Sequence, residues 1–200
     1  MSGRAVLEWQ CARRPAPDER VCGDRAAVVS RGGRTLIVVV DGLGHGEEAA
    51  RAADAAVAAL DDGAGGDALT ALGRCHEALR ETRGAAVSAA AFDPREGTLT
   101  WAGVGNVEGR LVRAGRGLTE SLLTLGGIVG RNLPPLRAMS VPVERGDMLL
   151  LATDGLTATF GDDLEPSGSC SAIARRLLDA FGRPTDDALV VVARFLWEDT

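Results

Sequence analysis

The sequence predicts an α+β fold in which antiparallel sheets are covered by helices. Strand-like segments come first along the chain, two helices follow, and then come a run of strands, one more helix and a last strand. A parallel sheet would instead show regular alternation of strands and helices. The 200 residues fit a single domain over residues 1–200, long enough to bury a core without disulfides or a structural metal.

The first half of the chain carries a tight hairpin followed by two helices. Gly32 and Gly33 separate two apolar segments, and a Gly-Gly pair suits a type I′ turn because both central residues need a positive φ. Alanine, valine and leucine recur at helical spacing further on. The predicted elements are an edge strand over 4–12, strands over 25–30 and 34–40, and helices over 47–60 and 67–82.

The second half is mostly strand, with one amphipathic helix near its end. Residues 126–135 are too rich in glycine and proline for either period, so a loop is expected there. The segments 136–143 and 148–152 are predicted to form a hairpin around residues 144–147. The remaining predictions are strands over 85–92, 98–104 and 109–114, a helix over 169–181 and a final strand over 188–196.

The charge balance argues against a nucleic-acid binder. The chain has 22 basic residues, all arginine, against 28 acidic ones and a net charge of −6, whereas nucleic-acid binding needs a basic face. The absence of lysine excludes Schiff-base chemistry. No apolar run approaches the ~18 residues of a membrane span, no signal peptide is recognisable, and the four cysteines are widely spaced. We therefore expect a cytoplasmic protein with reduced thiols that binds neither nucleic acid nor membrane.

Acidic residues stand at the ends of several predicted strands. A single Asp-Gly at a strand end is most often an ordinary turn, but several acidic strand ends together favour a site built from carboxylates. The residues are Asp24 and Asp186-Asp187, which open strands, and Asp41 and Asp154, which close strands and are each followed by glycine.

The hairpin register brings the first two acids together. A two-residue turn at 32–33 pairs residues whose numbers sum to 65, so Asp24 faces Asp41. Opposed side chains project from the same face with Cβ atoms ~4.5–5.5 Å apart, so these carboxylates repel unless one is protonated or a cation lies between them. Asp154 and Asp186 reach a common edge if their strands are antiparallel. Carboxylates suit hard cations such as Mg²⁺ or Mn²⁺, and the following glycines would let backbone approach such an ion.

Several motifs resemble those of the metal-dependent protein phosphatases of the type 2C class, in the bacterial SpoIIE-like branch. The resemblance runs from about residue 18 to residue 196 and implies a four-layer α-β-β-α sandwich of two mainly antiparallel sheets flanked by helices. It also implies two Mn²⁺ or Mg²⁺ ions at one sheet edge. The main matches are Cys-Gly-Asp at 22–24, Val-Asp-Gly-Leu-Gly-His-Gly at 40–46, Thr-Asp-Gly at 153–155 and Asp-Asp-Ala at 186–188.

The resemblance implies a role for each of these positions. Asp41 would bridge both ions, the carbonyl oxygen of Gly42 would bind one of them, and Asp24 would bind directly or through water. Asp154 and Asp186 would complete the shell of the second ion. The neighbouring acid at 187 matches a position that is often asparagine, so a supporting role is expected there.

The implied activity is that of a metal-dependent protein serine/threonine phosphatase, in which a metal-activated water hydrolyses phosphoserine or phosphothreonine. The implied substrates are phosphorylated STAS-domain scaffold or antagonist proteins of a stress-signalling complex, the stressosome. His45 could protonate the leaving oxygen, since histidine titrates near neutral pH, or could simply be the residue that enters a helix. Arg131 and Arg137 could contact phosphate, or could be solvated loop arginines.

Two other hypotheses stay open at this point. The chain could be a catalytically silent phosphatase-fold module that docks on a partner in a signalling complex, although such modules tend to lose ligands and this chain keeps its acidic set. It could also hydrolyse a small phosphoester. A monomer is expected in each case.

Overall fold

The helices and strands follow one another in the predicted order, with one additional short strand over Thr119–Leu122 that was not predicted. The computed structural model describes residues 6–61, 67–116, 118–162, 164 and 166–196. Residues 4 and 5 of the predicted first strand lie outside this part of the chain. The strands are β1 (Leu7–Arg14), β2 (Asp24–Arg31), β3 (Arg34–Gly42), β4 (Ala85–Asp93), β5 (Thr98–Val104), β6 (Glu108–Val112), β7 (Thr119–Leu122), β8 (Met139–Pro142), β9 (Met148–Ala152) and β10 (Ala188–Phe195); the helices are α1 (Gly46–Asp61), α2 (Ala68–Ala78) and α3 (Cys170–Phe181).

The strands of the described chain form two stacked sheets of five strands each. The first sheet has the order β2-β3-β4-β5-β8 and the second β1-β10-β9-β6-β7, with antiparallel neighbours throughout. Helices α1 and α2 pack against the first sheet, and α3 packs against the second. The predicted four-layer α-β-β-α sandwich is therefore confirmed, as is the edge position of β1.

Strand β3 is buried on both of its faces, which explains its uninterrupted apolar run. Leu36, Val38 and Val40 pack with residues of α1 and α2, whereas Ile37 and Val39 pack with residues of the second sheet. Successive side chains of a strand point to opposite faces, so odd-numbered positions of β3 face the space between the sheets. This alternation fixes where the acidic residue at the end of the strand emerges.

The β2–β3 hairpin has the predicted turn and register. Gly32 and Gly33 have φ angles of 62° and 85°, the left-handed region that favours glycine. Arg31 pairs with Arg34 beside the turn, and the same register continues to the far end, where Asp24 pairs with Asp41. The glycine pair thus determines which residues meet at the opposite end of the hairpin.

The predicted hairpin over 136–143 and 148–152 is wrong. β8 pairs with β5 in the first sheet, whereas β9 pairs with β10 and β6 in the second. The buried carboxylate of Asp147 holds this crossing between sheets, because it accepts hydrogen bonds from the backbone N–H groups of Glu144 and Ala114 and pairs with Arg113 at 2.9 Å. A turn signal alone does not reveal which sheet the next strand joins.

The helices begin and end close to their predicted limits, with one exception. Helix α2 starts after Asp67, whose carboxylate accepts the backbone N–H of Thr70 at 2.9 Å, but it ends at Ala78 and not at residue 82. The residues that follow form a turn leading into β4. No helix in the described ranges is long and apolar enough to cross a lipid bilayer.

Replacing Gly73 with alanine is expected to stabilise the protein. Gly73 lies inside α2, and a Cβ added there would meet no other atom within 4 Å. Because glycine inside a helix is less favourable than alanine by about 0.5–1 kcal/mol, Gly73→Ala should raise the free energy of unfolding by that amount in urea denaturation. Gly130→Ala should do the opposite, since Gly130 has a φ of +94° and its added Cβ would lie 2.5 Å from the Cβ of Leu79. A loss of stability in Gly73→Ala would contradict this prediction.

Candidate active site

The first pair of carboxylates comes from the β2–β3 hairpin. Asp24 and Asp41 are register partners, as predicted. Asp41 continues the alternation of Ile37 and Val39, so it emerges at the rim of the core between the sheets. Asp24 is only 1% exposed, and Asp41 is half-buried. The hairpin therefore places two acids side by side at a partly desolvated edge.

The second pair of carboxylates comes from the other sheet. β9 and β10 are antiparallel, which meets the condition set from the sequence, so Asp154 just after β9 and Asp186 just before β10 lie at the same end of that sheet. Asp154 is exposed, and its Oδ2 accepts a 2.6 Å hydrogen bond from Nδ2 of Asn106. Asp186 is half-buried, and its Oδ1 accepts the backbone N–H of Asp187 at 2.9 Å.

Burial and mutual repulsion disfavour the charged forms of these acids. The pKa of Asp41 is raised from 3.8 to about 9, first by burial and then by the charges of the other four acidic residues. Burial likewise raises the pKa of Asp24 to about 7, against the opposing effect of a hydrogen bond from Thr153. Burial is also the largest cause of the raised pKa of Asp186. Acids from both sheets therefore share one electrostatic environment.

The chemistry of these donors fits a hard divalent cation. Carboxylate oxygens are the ligands that Mg²⁺ and Mn²⁺ prefer, and a cation would relieve the repulsion that raises the pKa of Asp41. In the part of the chain that the structure describes, no group of three or more His, Cys, Asp or Glu side chains is arranged to hold a metal ion as it stands. Mg²⁺ is commonly held by one or two carboxylates with water in the remaining positions, so this finding does not conflict with a metal site at the rim.

The carboxylate of Asp187 is bonded to the backbone beside the site. Its buried carboxylate accepts the N–H groups of Ala16 and Gly23, each at 2.8 Å. These bonds connect the segment before β2, in the first sheet, to the start of β10, in the second sheet, close to Asp24. This arrangement agrees with a supporting role for Asp187.

Two polar residues of the site have no assigned role in the sequence analysis. Asn106 holds Asp154, as described above, and Thr153 donates a 2.8 Å hydrogen bond from Oγ1 to Oδ2 of Asp24. A signal for Thr153 does exist in the sequence. Alternate residues of a strand face the same side, and Leu149 and Leu151 of β9 face the space between the sheets. Thr153 is the next residue in this series, so its side chain should point towards the first sheet.

The glycines after Asp41 and Asp154 are required by close backbone packing. A Cβ on Gly42 would lie 2.2 Å from the carbonyl oxygen of Ala49, and one on Gly155 would lie 1.8 Å from the carbonyl oxygen of Asp187. From the sequence, we expected glycine at these two positions because the backbone would approach a metal ion there. The structure gives a different reason: α1 and the start of β10 pass directly over them.

The other predicted site residues lie around this rim or on the neighbouring loop. Nδ1 of His45 lies 2.6 Å from Oε1 of Glu19, and His45 is close enough to Asp186 to lower its pKa slightly, against the larger effect of burial. The guanidinium of Arg131 donates to the carbonyl oxygens of Arg83 and Thr82 at 2.8 and 3.1 Å, and so holds the 126–135 loop. The other loop arginine, at position 137, is exposed.

Comparisons with known proteins agree with the fold. RsbX of Bacillus subtilis (strain 168), a phosphoserine phosphatase, is 25% identical over 136 residues, which cover 68% of each chain. A structure solved for the bacterial stressosome, described as a modular system adapted to control secondary messenger signalling, is 31% identical with a TM-score of 0.85 and covers 94% of this chain and 99% of that one. A crystal structure of RsbX in complex with magnesium has a TM-score of 0.85 at 20% identity and covers 97% of this chain and 98% of that one.

The two stacked antiparallel sheets flanked by helices have the fold of the PP2C-type protein phosphatases. The family model of Stage II sporulation protein E (SpoIIE) matches residues 31–196. The chain therefore belongs to the SpoIIE family.

Proposed function

We propose that this protein is a metal-dependent serine/threonine phosphatase that acts on phosphorylated STAS-domain proteins of a stress-signalling complex. The observation that carries the proposal is the pairing of Asp24 with Asp41 at the rim where Asp154 and Asp186 arrive from the other sheet. The name of the phosphoserine phosphatase RsbX and the stressosome setting of the 31%-identical structure support the substrate class. The free thiols of all four cysteines favour a cytoplasmic location.

The acidic residues would hold two Mn²⁺ or Mg²⁺ ions. Asp41 would contact both, with the Gly42 carbonyl and Asp24 on one side and Asp154 and Asp186 on the other. When bound, divalent ions neutralise the charge of a phosphoryl group and make an attacking water more acidic. The chain's own part is to hold the carboxylates together at a partly desolvated rim, where Asp24 is buried and Asp41 and Asp186 are half-buried, because partial desolvation strengthens their electrostatic effect.

His45 is our candidate for the proton donor to the leaving serine or threonine oxygen. Its Nδ1 lies 2.6 Å from Oε1 of Glu19, and this contact orients the ring. The proton on Nε2 would then pass to the leaving oxygen. Arg137, which is exposed, remains the candidate contact for the substrate phosphate, while Arg131 acts mainly by fixing the loop.

Release of phosphate from a phosphorylated STAS-domain protein tests the proposed function. We expect release that requires Mn²⁺ or Mg²⁺, stops in excess chelator and returns when the metal is added back. Free phosphoserine should be hydrolysed far more slowly. Comparable rates on the two substrates would favour a small phosphoester as the substrate, and release that persists in chelator would refute metal dependence.

A catalytically silent binding module is the second candidate. It is favoured by the observation that, among the described residues, no metal-ligating group is complete as it stands. Calorimetry separates the two candidates, because a silent module should bind a STAS-domain partner yet show no manganese binding. Manganese binding together with turnover excludes it.

A further inference from the structure

The side chain of Thr153 joins the two sheets at the candidate active site. Thr153 follows β9 of the second sheet, whereas Asp24 opens β2 of the first. Both residues are almost completely buried, at 2% and 1% exposure. Thr153 Oγ1 lies 2.8 Å from Oδ2 of Asp24. This contact is a direct side-chain hydrogen bond between a strand end of one sheet and a carboxylate of the other.

The surrounding hydrogen bonds determine which way the hydroxyl proton points. The backbone N–H of Leu189 donates to Thr153 Oγ1 at 2.9 Å, so the hydroxyl oxygen is already an acceptor. The carbonyl oxygen of Leu189 is 3.4 Å from Oγ1 and already accepts the backbone N–H of Thr153. The nearer acceptor is the Asp24 carboxylate, and hydrogen bonds to a charged acceptor are the stronger ones. The hydroxyl therefore donates to Asp24.

Hydrogen bonds to the second sheet hold Thr153 in place independently of its bond to Asp24. The backbone and the side-chain oxygen of Thr153 are both bonded to Leu189, a fully buried residue near the start of β10. One carboxylate oxygen of Asp24 is committed to the hydroxyl, while Oδ1 is not part of that bond. The rotation of the carboxylate is thereby restricted.

We propose that Thr153 is a positioning residue that fixes the orientation of the Asp24 carboxylate for metal binding. The inference rests on the proposed function, because it concerns the same acidic site. Partners that orient metal ligands typically change metal affinity 10–100-fold when they are removed. Thr153 itself touches neither substrate nor metal, and it acts only through Asp24.

Two substitutions at this position separate the hydroxyl from the shape of the side chain. Thr153→Val keeps the β-branched shape and removes the hydroxyl, whereas Thr153→Ser keeps the hydroxyl. Thr35→Val is the matched control, because Thr35 is a buried strand residue whose hydroxyl bonds Ser30 at 3.1 Å near the turn end of the hairpin. Manganese binding by each metal-stripped protein is measured by calorimetry, and the free energy of unfolding is measured by urea denaturation in chelator.

We expect Thr153→Val to weaken manganese binding at least about 10-fold, and Thr153→Ser to stay within about 3-fold of the wild type. Thr35→Val should lose stability but bind manganese like the wild type. If Thr153→Val does not fold, Thr153→Ala, which leaves room for a water, is used under the same criteria.

Two results would overturn the proposal. Unchanged manganese affinity in Thr153→Val would show that the hydroxyl does not position Asp24, while leaving the proposed phosphatase activity intact. A weakening in Thr153→Ser as large as in Thr153→Val would show that packing matters and the hydrogen bond does not. If the wild type itself bound no manganese, the metal-dependent function and this inference would both fail, and the first titration would reveal it.

Discussion

Asp41→Asn is expected to reduce phosphatase activity at least about 1000-fold and yet to make the metal-free protein more stable at pH 8. A loss of about 1000-fold corresponds to roughly 4 kcal/mol of transition-state stabilisation, the scale of what a correctly held metal ion supplies. Asparagine has nearly the same shape as aspartate but carries no charge. The substitution therefore removes the carboxylate and keeps the packing at the end of β3.

The gain in stability follows from the raised pKa of Asp41. Its pKa is about 9 in the folded protein against an ordinary value of 3.8, so the folded state retains a proton that the unfolded chain releases between these pH values. In the metal-free wild type, the stability that goes with the protonated form of Asp41 is present in full below pH 3.8 and is lost as the pH rises through 9. Asparagine does not titrate, so the advantage of Asp41→Asn should grow over this interval to about 1–3 kcal/mol at pH 8.

Urea denaturation in chelator at about pH 4 and pH 8 measures this difference. Asp179→Asn is the matched control, since Asp179 is exposed on α3 and its replacement should change stability by less than about 0.5 kcal/mol at either pH. Saturating manganese should reverse the order and make the wild type the more stable protein. An Asp41→Asn variant that keeps its activity, or that is less stable than the wild type at pH 8 in chelator, would contradict the assignment.

Gly155→Ala is expected to destabilise the protein by about 3 kcal/mol or more and to abolish activity. The added Cβ would lie 1.8 Å from the carbonyl oxygen of Asp187 and 2.8 Å from the Cα of Ala188, and neither backbone atom can move without displacing β10. The segments that carry Asp154 and Asp186 would be forced apart. Loss of stability and loss of metal binding should therefore occur together.

Gly126→Ala is the matched control for this substitution. Gly126 has no atom within 4 Å of an added Cβ and does not have a φ in the left-handed region, so alanine should be accommodated without strain. Urea denaturation and manganese calorimetry on both variants test the expectation. Wild-type stability in Gly155→Ala would show that the backbones of the two segments are not packed as closely as the structure indicates.

The parts of the fold and site that were predicted from the sequence depend on local geometry. Gly32-Gly33 specifies a two-residue turn, and from it the pairing of Asp24 with Asp41 follows by counting along two strands. The approach of Asp154 and Asp186 was predicted only on the condition that their strands run antiparallel, and β9 and β10 do so. The pairing of Asp24 with Asp41, in contrast, extends the geometry of one turn along two regular strands.

The parts that were not predicted depend on which distant element lies alongside. Nothing near residues 144–147 shows that β8 joins β5 while β9 joins β10, because the turn signal is the same in both cases. Aspartate is a common turn residue, so the sequence around Asp147 indicates only a turn. In the structure its buried carboxylate forms an ion pair with Arg113. The four-residue strand β7 is too short for a clear period. The roles of Thr153 and Asn106 become visible only when the sheets are stacked.

The division of the acids between two sheets has a consequence for synthesis of the chain. The first sheet draws its strands from residues 24–142, whereas the second pairs β1 with β10, from opposite ends of the described chain. Contacts between residues so far apart in sequence form late, because a long loop must close first. On the ribosome, Asp24 and Asp41 emerge early but cannot meet Asp186 until the last strand has left the exit tunnel, so a nascent or truncated chain lacks the proposed metal site.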